Sequence, residues 1–319
     1  MVILSRYYTY NQHLQDKYGA KTYKLPVNLL LTCPNRDGVL STGGCAYCGS
    51  KGASFEEASV TSVKEQLLEI KEPIANKYKA EKFIAYFQNF TNTYLPLEEL
   101  KDNVAQALEV EGIVELAFAT RPDCINKEYL EAMLAVIEQQ APETNLTLEL
   151  GLQTANYHIL KSINRGHTLA EFIDAVLTAR EYGVGVGVHL ILNLPGDSRE
   201  DAIENAKLLS ALQVDNVKLH ALYIREDTRF GELYQQGKLD LISLEEYIER
   251  VILFLEHLDP QIAVQRLLGK APREGSLFVN WGYDYWTVHN RILDELEKRN
   301  IEQGQKFDYL QGKALTKFS

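Results

Sequence analysis

The sequence predicts an α/β protein, a partial (β/α)6 TIM-like barrel with a helical C-terminal extension. Two observations carry the prediction. Short runs rich in β-branched residues alternate with longer amphipathic stretches, repeating about every 30 residues as strand–helix units do. Six such strands can be read, and the roughly 100 residues beyond Tyr223 do not cleanly supply the two further units that a closed eight-stranded barrel needs.

The strand candidates are Leu25–Leu31, Lys82–Phe87, Val114–Ala119, Leu146–Leu150, Val184–Leu192 and Asn216–Tyr223. Between them, 3.6-residue periodicity predicts helices over Val63–Lys71, Leu97–Leu108, Lys127–Gln139, Leu169–Tyr182 and Arg199–Leu212. Thr61 or Ser62 is placed to cap the first of these, and Asn126 the third. Beyond Tyr223, Leu241–Leu258 and Thr287–Asn300 read as helices, with a possible strand at Gln261–Leu267. The expected organisation is an N-terminal extension (1–24), a core barrel (25–225) and a C-terminal extension (226–319) that caps the barrel or binds substrate.

Of the 319 residues, 45% are hydrophobic and 24% charged, an ordinary globular composition. No apolar run approaches membrane-spanning length and the N-terminus lacks a secretory pattern, so a cytoplasmic protein without membrane association is expected. The net charge of −11 argues against coating nucleic acid through bulk electrostatics and leaves room for a local basic patch gripping one folded RNA.

Three of the four cysteines fall within sixteen residues: Cys33, then eleven residues, Cys45, then two residues, Cys48. The segment follows the first predicted strand, at the edge where α/β sheets place their sites. Gly38, Gly43 and Gly44 permit the tight turns that bring three thiols together. Structural zinc sites take four protein ligands, and a fourth would have to come from distant Cys124 or a histidine such as His13. Disulfides do not suit a reducing compartment. An iron–sulfur cubane fits best, because three thiolates leave one iron open for chemistry. Cys124 itself reads as a small buried hydrophobe.

The run Cys33-Pro-Asn-Arg-Asp-Gly38 followed by Gly43-Gly-Cys-Ala-Tyr-Cys-Gly49 resembles the cluster loop of the radical S-adenosylmethionine superfamily, with a lengthened first spacing and an aromatic Tyr47 before the last cysteine. More closely, it is similar to short bacterial enzymes related to the radical domain of the Elongator catalytic subunit. The segment Thr120-Arg-Pro-Asp123 resembles the matching segment of that domain. The resemblance implies a [4Fe–4S] cluster on Cys33, Cys45 and Cys48, with S-adenosylmethionine as second cofactor. It further implies a flavodoxin- or ferredoxin-type electron donor and a tRNA substrate altered at C5 of the wobble uridine, from carboxymethylaminomethyl to aminomethyl. Two alternatives are a radical enzyme acting on a small molecule or cofactor precursor, and a non-catalytic zinc- or cluster-binding module.

Further site candidates follow strand ends. The superfamily's Gly-Gly-Glu motif is missing after the second strand, where Gln88, Asn89, Thr91 and Asn92 are the polar candidates for cofactor contact. Arg121 and Asp123 either contact substrate or form a structural pair. Glu149 and Gln153 share a strand face, and by resemblance this region contacts the cofactor's ribose or methionine part. Arg165 suits a cofactor carboxylate, and the glycine-rich fifth strand ending in Asn193 is assigned by resemblance to the adenine. His189 is a core or a substrate-contacting residue. Lys218 and His220 share a face as substrate-pocket groups, with Tyr223 expected on the opposite face. The tyrosines near the start and the group Arg266, Lys270, Arg273, Trp281, Tyr283, Tyr285 and Trp286 suit either RNA stacking or a packed cap.

Overall fold

A computed structural model describes residues 5–50, 52, 60–272 and 274–318; Arg273 lies outside these. The chain runs as a short helix α1 (Tyr10–Tyr18) into β1 (Thr22–Val27). Then follow α2 (Val63–Tyr78), β2 (Lys82–Phe87), α3 (Leu97–Leu108), β3 (Ile113–Thr120), α4 (Lys127–Gln140) and β4 (Asn145–Gln153). Next come α5 (Tyr157–Ser162), α6 (Leu169–Glu181), β5 (Gly185–Ile191), α7 (Arg199–Ala211) and β6 (Asn216–His220). The remainder comprises β7 (Ile224–Arg225), α8 (Arg229–Gln235), α9 (Leu244–His257), β8 (Ala263–Arg266), β9 (Ser276–Phe278) and α10 (Tyr285–Lys298).

The main sheet is a curled, wholly parallel half-barrel of seven strands in the order β1-β2-β3-β4-β5-β6-β8. The partial barrel is therefore as expected, and the possible strand at Gln261–Leu267 is realised as its seventh strand, β8. The extension is accordingly not purely helical. The outer β8 edge is bridged at Val264 by Thr9, whose side chain also caps α1.

Capping explains why several helices start where the sequence places them. Ser62 Oγ accepts from Glu65 N while the Glu65 carboxylate returns to Ser62 N, satisfying two otherwise orphaned donors. Asn126 caps α4 through Tyr129 N, and Ser198 forms the same reciprocal box with Asp201 on α7. The first strand is offset from its expected place. It pairs with β2 from Thr22↔Lys82 to Val27↔Phe87 and stops there, while the apolar Leu29–Leu31 run continues as loop. Pro26 is tolerated because β1 is an edge strand. Central strands β2–β5 are buried along nearly their whole length, as a sheet covered on both faces requires.

Candidate active site

The strands' C-terminal ends surround a cavity of about 390 Å³, lined by Cys33, Cys45 and Cys48 together with side chains from β2 to β8. Its two ends differ in chemistry.

At the outer end the cysteine loop folds over the sheet edge, with Gly38, Gly43 and Gly44 at φ of 95°, 84° and 78° as the turns demand. Each thiol faces one guanidinium. Arg36 Nη2 lies 3.3 Å from Cys48 Sγ, Arg165 Nη1 3.6 Å from Cys45 Sγ, and Arg121 Nη1 4.0 Å from Cys33 Sγ. Asn35 Nδ2 adds a second donor to Cys45 Sγ at 3.6 Å. Burial raises the Cys48 thiol, and neighbouring Cys45 adds to that, against the opposing pull of Arg36. The donors are themselves held. Arg165 Nη2 donates to Gly151 O at 2.7 Å and Nε to His167 Nε2 at 2.9 Å, with Arg121 donating to Arg165 O at 2.9 Å. A Cβ on Gly151 would stand 2.7 Å from Arg165 Nη2 and 2.8 Å from Gln153 Nε2, so only glycine admits both groups. Burial, then Arg165 and Arg121, push His167 down to about 3, leaving it a neutral acceptor. Arg121 also clasps Asp123 with two bonds, Nε–Oδ1 at 2.8 Å and Nη2–Oδ2 at 2.5 Å.

The inner end is organised by Glu149, four residues before the end of β4 and hence roughly 13 Å deeper along the strand. Its Oε1 accepts from Lys24 and, at 2.7 Å, from Gln265 Nε2; its Oε2 faces His189 Nε2 at 2.7 Å and Lys218 Nζ at 3.2 Å. Burial opposes ionisation of Glu149, but Lys218, Lys24 and His189 outweigh it and hold the carboxyl well below its usual range. Lys218 also donates to Tyr86 Oη at 2.9 Å, and burial brings it down to about 7. Burial and Lys218 push His189 down to about 4; burial and Arg266 push His220 well below its usual value. Arg266 Nη2 rests on the His220 ring, 2.8 Å from Nδ1.

The structure thus brings Gln88, Thr91, Arg121, Glu149, Gln153, Arg165, His189, Lys218 and His220 to one cavity with the cysteines. Gln88 also donates to Asn28 Oδ1 at 3.1 Å. Asn92, by contrast, spends its amide on the carbonyls of Phe87, Asn89 and Ala119, tying the β2 loop to β3. Asn89 is buried away from the cavity lining, and Asn193 accepts from Leu222 N at 2.7 Å behind it. Asp123 lines a neighbouring surface cavity with Cys124, whose thiol burial raises to about 12. Tyr223 corrects an expectation: β6 ends at His220, alternation stops, and Tyr223 lines the same cavity as Lys218. Trp281 packs on Tyr247 and donates to Ile242 O, whereas Tyr283 and Trp286 are exposed. Sequence reasoning missed Lys24, Tyr86 and Gln265 at the inner end and Arg36 at the outer. Arg36 was within reach, standing inside the cysteine motif itself.

These features define a half-barrel enzyme with a thiol loop at its active edge. The radical SAM superfamily model matches residues 33–209 and a radical SAM C-terminal domain model matches 214–298; the chain belongs to the radical S-adenosylmethionine superfamily. It is 34% identical to the Bacillus subtilis protein YtqA over 96% of this chain and 94% of that one. It is 33% identical to Escherichia coli K12 YhcC over 95% and 93%. Its fold is similar to Methanocaldococcus infernus Elp3 lacking its N-terminus, with TM-score 0.68 and 18% identity over 89% of this chain and 64% of that one. Methylornithine synthase (PylB) gives 0.52 and 14% over 94% and 88%.

The chain is a radical S-adenosylmethionine enzyme, using a [4Fe–4S] cluster, S-adenosylmethionine and a reductant. The outer end fits that cofactor pair: three cysteine thiols, each beside a guanidinium that favours thiolate, face a cavity sharing their wall with buried arginine. Among the described residues no three His, Cys, Asp or Glu side chains are grouped to hold a single metal ion. A four-iron cube instead carries its thiolates on separate corners. Among the described residues no helix is long and apolar enough to cross a membrane.

Proposed function

We propose that the enzyme acts on the wobble uridine of tRNA, removing the glycine-derived part of a C5 carboxymethylaminomethyl group to leave an aminomethyl group. The observation that carries the reading is the Elp3-like fold over 89% of the chain, together with the Elongator-like Thr120–Asp123 segment, whose Thr120 and Arg121 line the cavity. In this reading Cys33, Cys45 and Cys48 hold the cluster. When bound, the cluster and S-adenosylmethionine supply a 5′-deoxyadenosyl radical that abstracts hydrogen from the substrate. Gln88, Gln153 and Arg165 line the cofactor part of the cavity, while Arg121 positions Cys33 and the loop around it. The buried walls exclude water. A flavodoxin- or ferredoxin-type protein donates the electron.

Nucleoside mass spectrometry of tRNA from cells lacking the gene tests the proposal. Carboxymethylaminomethyluridine should accumulate at the expense of aminomethyluridine and its derivatives; an unchanged profile defeats it. The net charge of −11 favours a second reading, a small-molecule substrate. Salt-dependent binding of purified enzyme to tRNA separates the two.

A further inference from the structure

We propose that Arg266, assisted by Lys218 and Lys270, is a receptor for a carboxylate of the substrate at the inner end of the cavity. The inference rests on the tRNA reading for the identity of that carboxylate, the glycine carboxylate of the C5 side chain. The receptor itself rests on the charges.

Three cations from different strands, Lys24, Lys218 and Arg266, meet at this end, and Lys270 stands at the same cavity's exposed side. Among the described residues the one carboxylate in ion-pair contact with any of them is Glu149, and it is spoken for. Lys24, Gln265, His189 and Lys218 occupy its two oxygens. Both nearby histidines are held neutral, and an imidazole supplies no negative charge in either protonation state. Arg266 is consequently a guanidinium without an anion. Its Nη2 has only the His220 ring, and its Nε is buried with no hydrogen-bond partner. Leaving a buried charged donor unsatisfied is costly, and the cost is recovered when a carboxylate enters and takes the free edge of the fork. Gly269 permits this placement: a Cβ there would stand 3.2 Å from His220 Nδ1 and 3.3 Å from Arg266 Nη2.

The test uses cluster-loaded enzyme saturated with S-adenosylmethionine, so that the probe reports only a site the cofactor leaves open. Sarcosine (N-methylglycine) carries the carboxylate and amine of the proposed side chain, sarcosinamide lacks the charge, and inorganic phosphate carries charge of another shape. At matched ionic strength, sarcosine should raise the melting temperature while sarcosinamide and phosphate do not. Arg266→Gln should weaken sarcosine at least about tenfold, the worth of one charged hydrogen-bonding pair, and Arg266→Lys should keep part of the effect. If Arg266→Gln does not fold, Lys270→Gln carries the test with a smaller loss. Equal response to acid and amide, a stronger response to phosphate, or full sarcosine binding by a folded Arg266→Gln overturns the receptor. A sarcosine response that S-adenosylmethionine abolishes overturns it too. An unchanged tRNA profile beside intact sarcosine discrimination defeats the tRNA reading and leaves the receptor standing; the reverse outcome does the opposite.

Discussion

The two ends of the cavity handle buried charge in opposite ways. At the outer end the guanidiniums are matched one to one with thiols, Arg36 to Cys48, Arg165 to Cys45 and Arg121 to Cys33, with their other N–H groups taken up by chain carbonyls, His167 and Asp123. At the inner end a single carboxylate serves four donors and one guanidinium is left over. The outer end is thus completed by the chain for an occupant bound through its thiols, whereas the inner end has positive charge to spare. On the proposed reading, the difference separates residues that hold the cofactors from residues that choose the substrate.

The largest effect expected is at the outer end. Cys45→Ser should abolish cluster assembly, read as iron and sulfide content after anaerobic reconstitution, and with it 5′-deoxyadenosine formation. Full iron content in this variant would break the assignment. At the inner end Glu149→Gln removes the shared counter-ion of Lys24 and Lys218, and should cost on the order of 3–5 kcal/mol in denaturant unfolding while leaving iron content intact. Loss of iron instead would show that the two ends are not independent.

Acid should strain both ends through their neutral histidines. A histidine whose folded value is depressed contributes stability that is present above the unfolded value near 6.5 and lost as pH falls through the folded value. For His189, at about 4, the window is therefore pH 6.5 to 4, with about 3 kcal/mol lost by its lower end. His189→Gln should flatten this slope in melting curves taken across that range; an unchanged slope would remove His189 from the account. The smallest effect distinguishes matching from mere proximity at the thiols. Arg165→Gln should retain the cluster but lower its reduction potential and reduce S-adenosylmethionine cleavage about 10–100-fold, as loss of a second-layer partner does. Redox titration alongside the cleavage assay checks it.

The outer end was readable in the sequence because it is local. Three cysteines, their glycines and Arg36 lie within seventeen residues, 33–49, and loop geometry follows from short-range constraints. Helix starts were readable for the same reason, since Ser62 and Asn126 act on donors three residues away. The inner end is assembled across the sheet. Alternation along single strands indicated Glu149, Lys218 and His220, but pairing Glu149 with Lys24 and Gln265 requires the curl that brings β1 and β8 together. Alternation also misplaced Tyr223, because hydrogen bonding within β6 ends three residues earlier. Likewise β1 slid toward the N-terminus, where pairing with β2 outweighs the apolar run that follows.

The seventh strand gives this separation a direction along the chain. Among the described residues, the side chains that donate to a cysteine thiol, Asn35, Arg36, Arg121 and Arg165, all lie between Cys33 and Arg165, whereas Arg266 and Lys270 arrive on β8 and the turn after it. Under the proposed receptor, a change at Arg266 or Lys270 alters what the cavity accepts without removing a donor to a thiol. The stretch before β8, by contrast, is tied to the cysteine loop itself, Asp227 accepting from Ser50 N at 2.8 Å and Phe230 N donating to Ala46 O at 2.9 Å.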